Sequence, residues 1–198
     1  MTPMPQAIAR LLLPAIVLMA GLGLLAGVLL VTQRQSNAPA AALIGGPFAL
    51  TAQDGKPRTD ADFRGGPMLV FFGYTHCPDV CPTTLFDLSQ AFARLGPKAK
   101  IAGVFITVDP ERDTPAVLKD YLASFDARIT GLSGSRAALE PVYKAYRTYA
   151  KKSPGANGDY TMDHLALVYL MDSQGRFVGS FNTSQPPEAA AKELAAYL

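Results

Sequence analysis

Tryptophan is absent from the 198 residues, and cysteine occurs only twice. Two cysteines are too few for a disulfide-stapled scaffold and suit a single metal or redox site. Charge is missing from the start of the chain, where the first charged side chains are Arg10, Arg34 and Asp54. Two of the 18 basic residues precede Asp54, so 16 basic and 16 acidic side chains remain from there onward. A formally neutral domain lacks the basic face that nucleic acid requires, so no nucleic-acid partner is expected. No internal repeat is present.

What the N-terminus does have is apolar length. Residues 11–31 read LLLPAIVLMAGLGLLAGVLLV, 21 residues without a charge. At 1.5 Å per residue such a helix covers the roughly 30 Å hydrocarbon core of a bilayer, and Pro14 and the glycines are tolerated in a spanning helix. A signal peptide cleaved near Ala38-Pro39-Ala40 is the competing reading, but its apolar region runs only about 7–15 residues. The expected organisation is a membrane anchor over 1–34, a tether over 35–46 rich in Ala, Pro, Ser, Asn and Gly, and a folded domain over 47–198. Arg10 and Arg34 flank the run, so the positive-inside bias is weak. A short head before one span usually leaves the long C-terminal part outside. The head is also too short and too poor in arginine for a mitochondrial transit peptide. The expected setting is a bacterial inner membrane, crossed once, with the domain in the periplasm.

Within the domain, strands alternate with helices. Residues 48–51 and 56–59 flank Asp54-Gly55 and predict a hairpin with a type I′ turn. Residues 68–73 (MLVFFG) form a continuous apolar run, as in a buried central strand. Residues 82–95 carry helical spacing through Leu85, Leu88, Phe92 and Leu95, with Pro82 suited to the first helical position. A second strand is expected over 101–108, a helix capped by Thr114 reaching about 125, a short strand over 129–132, and a helix from Ser135 to about 150. Residues 151–160 read as a loop or hairpin. A third strong strand covers 165–171, a paired strand 176–181 and a closing helix 187–198. The pattern predicts an α/β fold with a mostly parallel central sheet flanked by helices.

The chemistry gathers at Phe72-Gly-Tyr-Thr-His-Cys77-Pro-Asp-Val-Cys81-Pro82. On one helical turn, residues four apart share a side, which brings Cys77 and Cys81 together. A helix N-terminus favours negative charge and so should lower a thiol pKa. Thiolates are soft ligands for Cu(I), zinc or iron–sulfur centres, and two alone leave a metal poorly coordinated. His164, just before a central-type strand, is placed at the same sheet edge and supplies the missing donor. A set of two sulfurs and one nitrogen suits Cu(I), and the imidazole also retains Cu(II). The bland alternatives are a structural disulfide between the cysteines and a histidine that merely caps a strand.

The stretches FFGYTHCPDVCPTTL, VDPERDTP (108–115) and YTMDHLALVYLMD (160–172) resemble the SCO/SenC family of copper-delivery proteins. The resemblance covers nearly all of 47–198. It implies a thioredoxin-like fold behind one N-terminal span, with copper on the two CxxxC cysteines and a downstream Asp-His histidine, matching Cys77, Cys81 and His164. It implies delivery of copper to the copper-bearing subunit of cytochrome c oxidase, or preparation of that subunit's thiols. Other periplasmic copper chaperones and thioredoxin-like reductants are further expected partners. Leu165 departs from the pattern, which has a small hydroxyl residue after the histidine. A thiol–disulfide oxidoreductase or a redox or copper sensor could use the same Cys77–Cys81 pair. The usual redox spacing is CxxC, however, and that use leaves His164 without a role. His76 is not expected to ligate. Asp79 would tune the site, Asp163 would orient the histidine loop, and Asp109, Glu111, Arg112 and Asp113 read as a charged turn nearby.

Overall fold

The computed structural model describes residues 19–27, 44–155 and 158–198. The chain divides into two compact units, Met1–Ala40 and Ala41–Leu198. Of the expected span 11–31, residues 19–27 are described and are helical, and the remainder lies outside the described residues. Among the described residues no helix is long and apolar enough to cross a membrane.

The second unit is built on β3 (Met68–Gly73), whose six residues are all buried. A strand covered on both faces is apolar throughout, which explains the run MLVFFG. Parallel to it lies β4 (Ala102–Thr107), and β5 (Ile129–Ser133) runs parallel to β4. The connections are α1 (Val80–Leu95) and α2 (Pro115–Leu122), the crossovers that parallel strands require.

The sheet is nevertheless mixed, not mostly parallel. β1 (Ala49–Ala52) pairs antiparallel with both β2 (Pro57–Thr59) and β5. On the other side, β8 (Val168–Met171) runs antiparallel to β3 and to β9 (Phe177–Phe181). The full order is β2-β1-β5-β4-β3-β8-β9. Reversal of β8 has a consequence for the site: its first residue, Val168, lies beside Phe71 near the end of β3. The chain entering β8 therefore passes the loop that leaves β3.

Alternation along β3 divides the core. Phe71 packs on Phe105 on one face, where Tyr121 of α2 also meets Phe105. Phe72 points the other way, edge-on to Tyr143, Tyr146 and Tyr169. Tyr143 belongs to α3 (Arg136–Ala145), whose N-cap Ser135 accepts from the Ala138 N–H. The last helix, α4 (Pro187–Ala195), reaches α1 through the Arg94–Glu188 ion pair.

Several boundaries differ from expectation. The β1–β2 connection is not type I′: only Gly55 has positive φ, at +78°, and Asp54 instead accepts from the Lys56 N–H. That is a three-residue loop closing with a left-handed glycine. The first helix begins at Val80, not Pro82, so Cys81 lies inside its first turn. The second ends at Leu122. The third stops at Ala145, where Arg147 takes a positive φ and turns the chain into β6 (Ala150–Pro154). Residues 151–154 and 160 fall in a hairpin in which β6 pairs antiparallel with β7 (Tyr160–His164). Among the described residues this two-stranded sheet shares no ladder with the seven-stranded one.

Candidate metal centre

Three elements meet at the cysteine motif. Cys77 lies in the loop after β3, and Cys81 is seated in the first turn of α1. The Cys81 N–H donates to Cys77 Sγ at 3.4 Å, which turns the first sulfur toward the helix N-terminus. His164 is the last residue of β7, not a residue leading directly into the central strand. Its Nε2 lies 3.7 Å from Cys81 Sγ. One ligand atom from each of the three residues falls within 4.8 Å of the others. Both cysteines are free thiols.

The imidazole is held by its surroundings. Tyr74 meets it edge-on at 5.8 Å between ring centres, and Phe71 at 6.5 Å. Its Nδ1 lies 3.3 Å from the Leu165 carbonyl. With a proton on Nδ1, that carbonyl accepts it and the Nε2 lone pair faces the sulfurs. A backbone oxygen thus makes the contact, and the unusual side chain at Leu165 removes no donor. Burial pushes the His164 imidazole below its ordinary pKa, so it is neutral, the form that ligates, through the physiological range.

Thiol acidity runs against the helix-terminus expectation at Cys81. Burial pushes its thiol up, with neighbouring Cys77 and Asp113 acting in the same direction. Cys81 is fully buried, and removal from water outweighs the pull of the first turn. An open groove of about 500 Å³ leads to the site, lined by Tyr74, Cys77 and Val80 on one side and by Tyr149, Met162 and His164 on the other.

The remaining sequence candidates sort clearly. His76 is exposed, bonded through Nδ1 to Thr75 Oγ1 at 3.0 Å, and stands outside the three-residue group. Asp79 is exposed and makes no side-chain cap bond. Asp163 accepts from Ser153 across the hairpin and makes no bond to the imidazole. Asp109 and Asp113 flank the turn after β4 and stand outside the three-residue group, with both carboxylates fully buried and bonded. Their partners Thr75, Thr107 and Tyr160 were not legible as a group, because the contacts span 38 and 51 residues of sequence for Asp113–Thr75 and Asp109–Tyr160.

The sequence model of the SCO1/SenC family matches residues 36–198. The chain belongs to the SCO1/SenC family. Its fold superposes on the ScoI protein of Bradyrhizobium japonicum with copper bound, with a TM-score of 0.75 at 58% identity, over 78% of this chain and 99% of that one. Yeast Sco1 with copper bound gives 0.71 at 34% identity, over 78% and 87% of the two chains. Mitochondrial SCO1 homolog of Homo sapiens is 35% identical over 160 residues, covering 79% of this chain and 53% of that protein. The SCO2-like protein of Rickettsia felis is 36% identical over 148 residues, covering 73% and 72%. The chain spans about half the length of the mammalian relatives it matches. SCO1/SenC structures therefore carry copper on the fold seen here, and this chain offers two sulfurs and an imidazole in one cluster. Soft thiolates with one borderline nitrogen fit Cu(I), and the imidazole fits Cu(II).

Gly73 keeps that cluster compact. A methyl group there would come within 2.8 Å of Cys81 Sγ and 2.7 Å of the Phe105 ring. Overpacking of a filled core costs roughly 1–3 kcal/mol. Gly73→Ala is expected to lower the thermal midpoint and to weaken metal retention together, because relief requires Cys81 to shift. Unchanged retention in a folded Gly73→Ala chain would show that Cys81 has freedom the packing denies it.

Proposed function

We propose that this chain is a membrane-anchored copper carrier. Cys77 Sγ, Cys81 Sγ and His164 Nε2 hold one copper ion, and the ion passes by ligand exchange to the copper-bearing subunit of cytochrome c oxidase. The carrying observation is the Cys-Cys-His cluster, with its donors within 4.8 Å, in a chain whose relatives hold copper on this fold. The assembly role follows the family, of which the neighbour BsSco is a member as a cytochrome c oxidase assembly protein. The apolar run 11–31 would anchor the domain to a bacterial inner membrane, facing the periplasm. There it would also meet other copper chaperones and thioredoxin-like reductants.

The test is copper stoichiometry. The reduced full chain, loaded anaerobically with Cu(I) and desalted, should carry one copper per chain by elemental analysis. His164→Ala should keep Cu(I) with reduced affinity and lose the charge-transfer absorbance of the Cu(II) form. A wild-type chain that emerges free of copper would sink the reading.

A second reading draws on the depth of the two sulfurs. Cys77 lines the groove and Cys81 lies behind it, fully buried, an order in which one thiol attacks and the other resolves a mixed disulfide. Rapid turnover of a disulfide substrate by the metal-free chain would favour this oxidoreductase use, which leaves His164 idle.

A further inference from the structure

The loop between β4 and α2 buries two carboxylates that the copper reading does not use. Buried carboxylates are costly unless their oxygens are bonded. Here they are bonded to opposite halves of the site. Asp113 takes the Thr75 hydroxyl on Oδ1 at 2.6 Å and the Thr75 N–H on Oδ2 at 3.1 Å. Thr75 lies two residues before Cys77, so this carboxylate fixes the cysteine loop. Asp109 takes the Tyr160 hydroxyl at 2.9 Å and the Arg112 Nε–H. Arg112 in turn lies 3.8 Å above the Tyr160 ring and donates to the Tyr160 carbonyl at 3.2 Å. Tyr160 opens β7, the strand that ends in His164, so the second carboxylate fixes the histidine hairpin.

One hydroxyl joins the two arms. Thr107 Oγ1 donates to Asp113 Oδ2 at 2.6 Å and accepts the Asp109 N–H at 2.9 Å. Among the described residues the β6–β7 sheet has no ladder with the main sheet, so side-chain bonds of this kind join the buried Met162 in setting where it sits. Neither carboxylate belongs to the ligand cluster.

We propose that this loop is a positioning device that sets the gap between the sulfur pair and the imidazole, with Asp113 and Thr75 serving the cysteine half and Asp109, Arg112 and Tyr160 the histidine half. The proposal rests on the copper reading for its purpose but not for its geometry. These are positioning residues, acting on the metal only through the ligands they hold.

The test uses the full chain in two states. Tyr160→Phe removes one hydroxyl and keeps the ring. In metal-free protein, amide hydrogen exchange over 150–164 should rise about tenfold while exchange over 82–95 stays at the wild-type rate. In copper-loaded protein, Cu(II) release to a chelator should accelerate on the order of tenfold. Thr75→Val should give the mirror pattern, with faster exchange over 74–81 and an unchanged hairpin. Should Tyr160→Phe not fold, Arg112→Lys keeps the charge, loses the fork, and carries the same expectations. Equal acceleration across both halves in either variant, or a hairpin and a Cu(II) release rate that Tyr160→Phe leaves unmoved, would overturn the proposal. Failure of the wild type to bind copper would instead overturn the carrier reading, and the metal-free exchange comparison would still decide the clamp.

Discussion

Replacing Cys81 by serine is expected to lower Cu(I) affinity at least about a hundredfold. Substitutions that merely disturb a ligand's outer support cost on the order of 10–100-fold, and loss of a ligand itself lies at or beyond that range. Serine is close to cysteine in shape, but its oxygen is hard, Cu(I) is soft, and the hydroxyl does not ionise near neutral pH. Cys81 is fully buried, with Phe105 and Gly73 close by, so no water or surface donor is at hand to replace the sulfur. Competition against a Cu(I)-specific chelator reads the affinity, and thermal unfolding of the metal-free variant confirms that the fold survives. An affinity within about threefold of wild type would remove Cys81 from the ligand set. Because burial keeps the thiol protonated in the metal-free chain, binding expels that proton, and Cu(I) affinity should rise with pH through the neutral range.

Alkaline pH should unfold the metal-free chain steeply. Burial pushes up the pKa values of Cys81, Tyr143 and Tyr146, all of which lie in the core. In the unfolded chain a cysteine loses its proton near pH 8.5 and a tyrosine near pH 10, as in model peptides. Above those values the unfolded state binds fewer protons than the native state, so stability falls as pH rises. Each group contributes a limiting slope of about 1.4 kcal/mol per pH unit, and the three together about 4 kcal/mol per unit once all are titrating. Their slope fades as pH falls below about 8 and is gone by about pH 7. Denaturant titrations of the reduced, metal-free chain between pH 7 and 11 give the curve, and Tyr146→Phe should remove one group's share. A profile flat to pH 11 would mean that these hydroxyls reach water in the native state.

Local pattern carried much of this molecule. The run 68–73 is the buried central strand, and Ser135 and Thr114 cap helices as their side chains suggest. The cysteines and His164 meet as their chemistry implied. The path to that meeting was not visible. A histidine before an apolar strand reads the same whether that strand is parallel or reversed, and only the antiparallel pairing of β8 with β3 delivers it to the cysteine loop. Pro82 looked like a helix start because its ring fits any position of a first turn; α1 itself begins two residues sooner, at Val80, and Cys77 stays in the loop before it. Asp109 and Asp113 read as part of a charged turn, and their burial was not visible because local sequence reports side-chain type and is silent about a partner 51 residues away. The positive φ at Arg147, which ends α3 early, has no glycine or asparagine to announce it.

Of the three donors, Cys77 belongs to no helix or strand and lines the open groove. Freeing Cys81 means unwinding the first turn of a helix seated in the core. Freeing His164 means breaking the Asp109, Arg112 and Tyr160 contacts that hold its hairpin. In the proposed handover to an incoming thiolate, Cys77 would therefore be the donor most easily exchanged. Each old bond would be released only as a new one forms, so the cargo need never be adrift in solution.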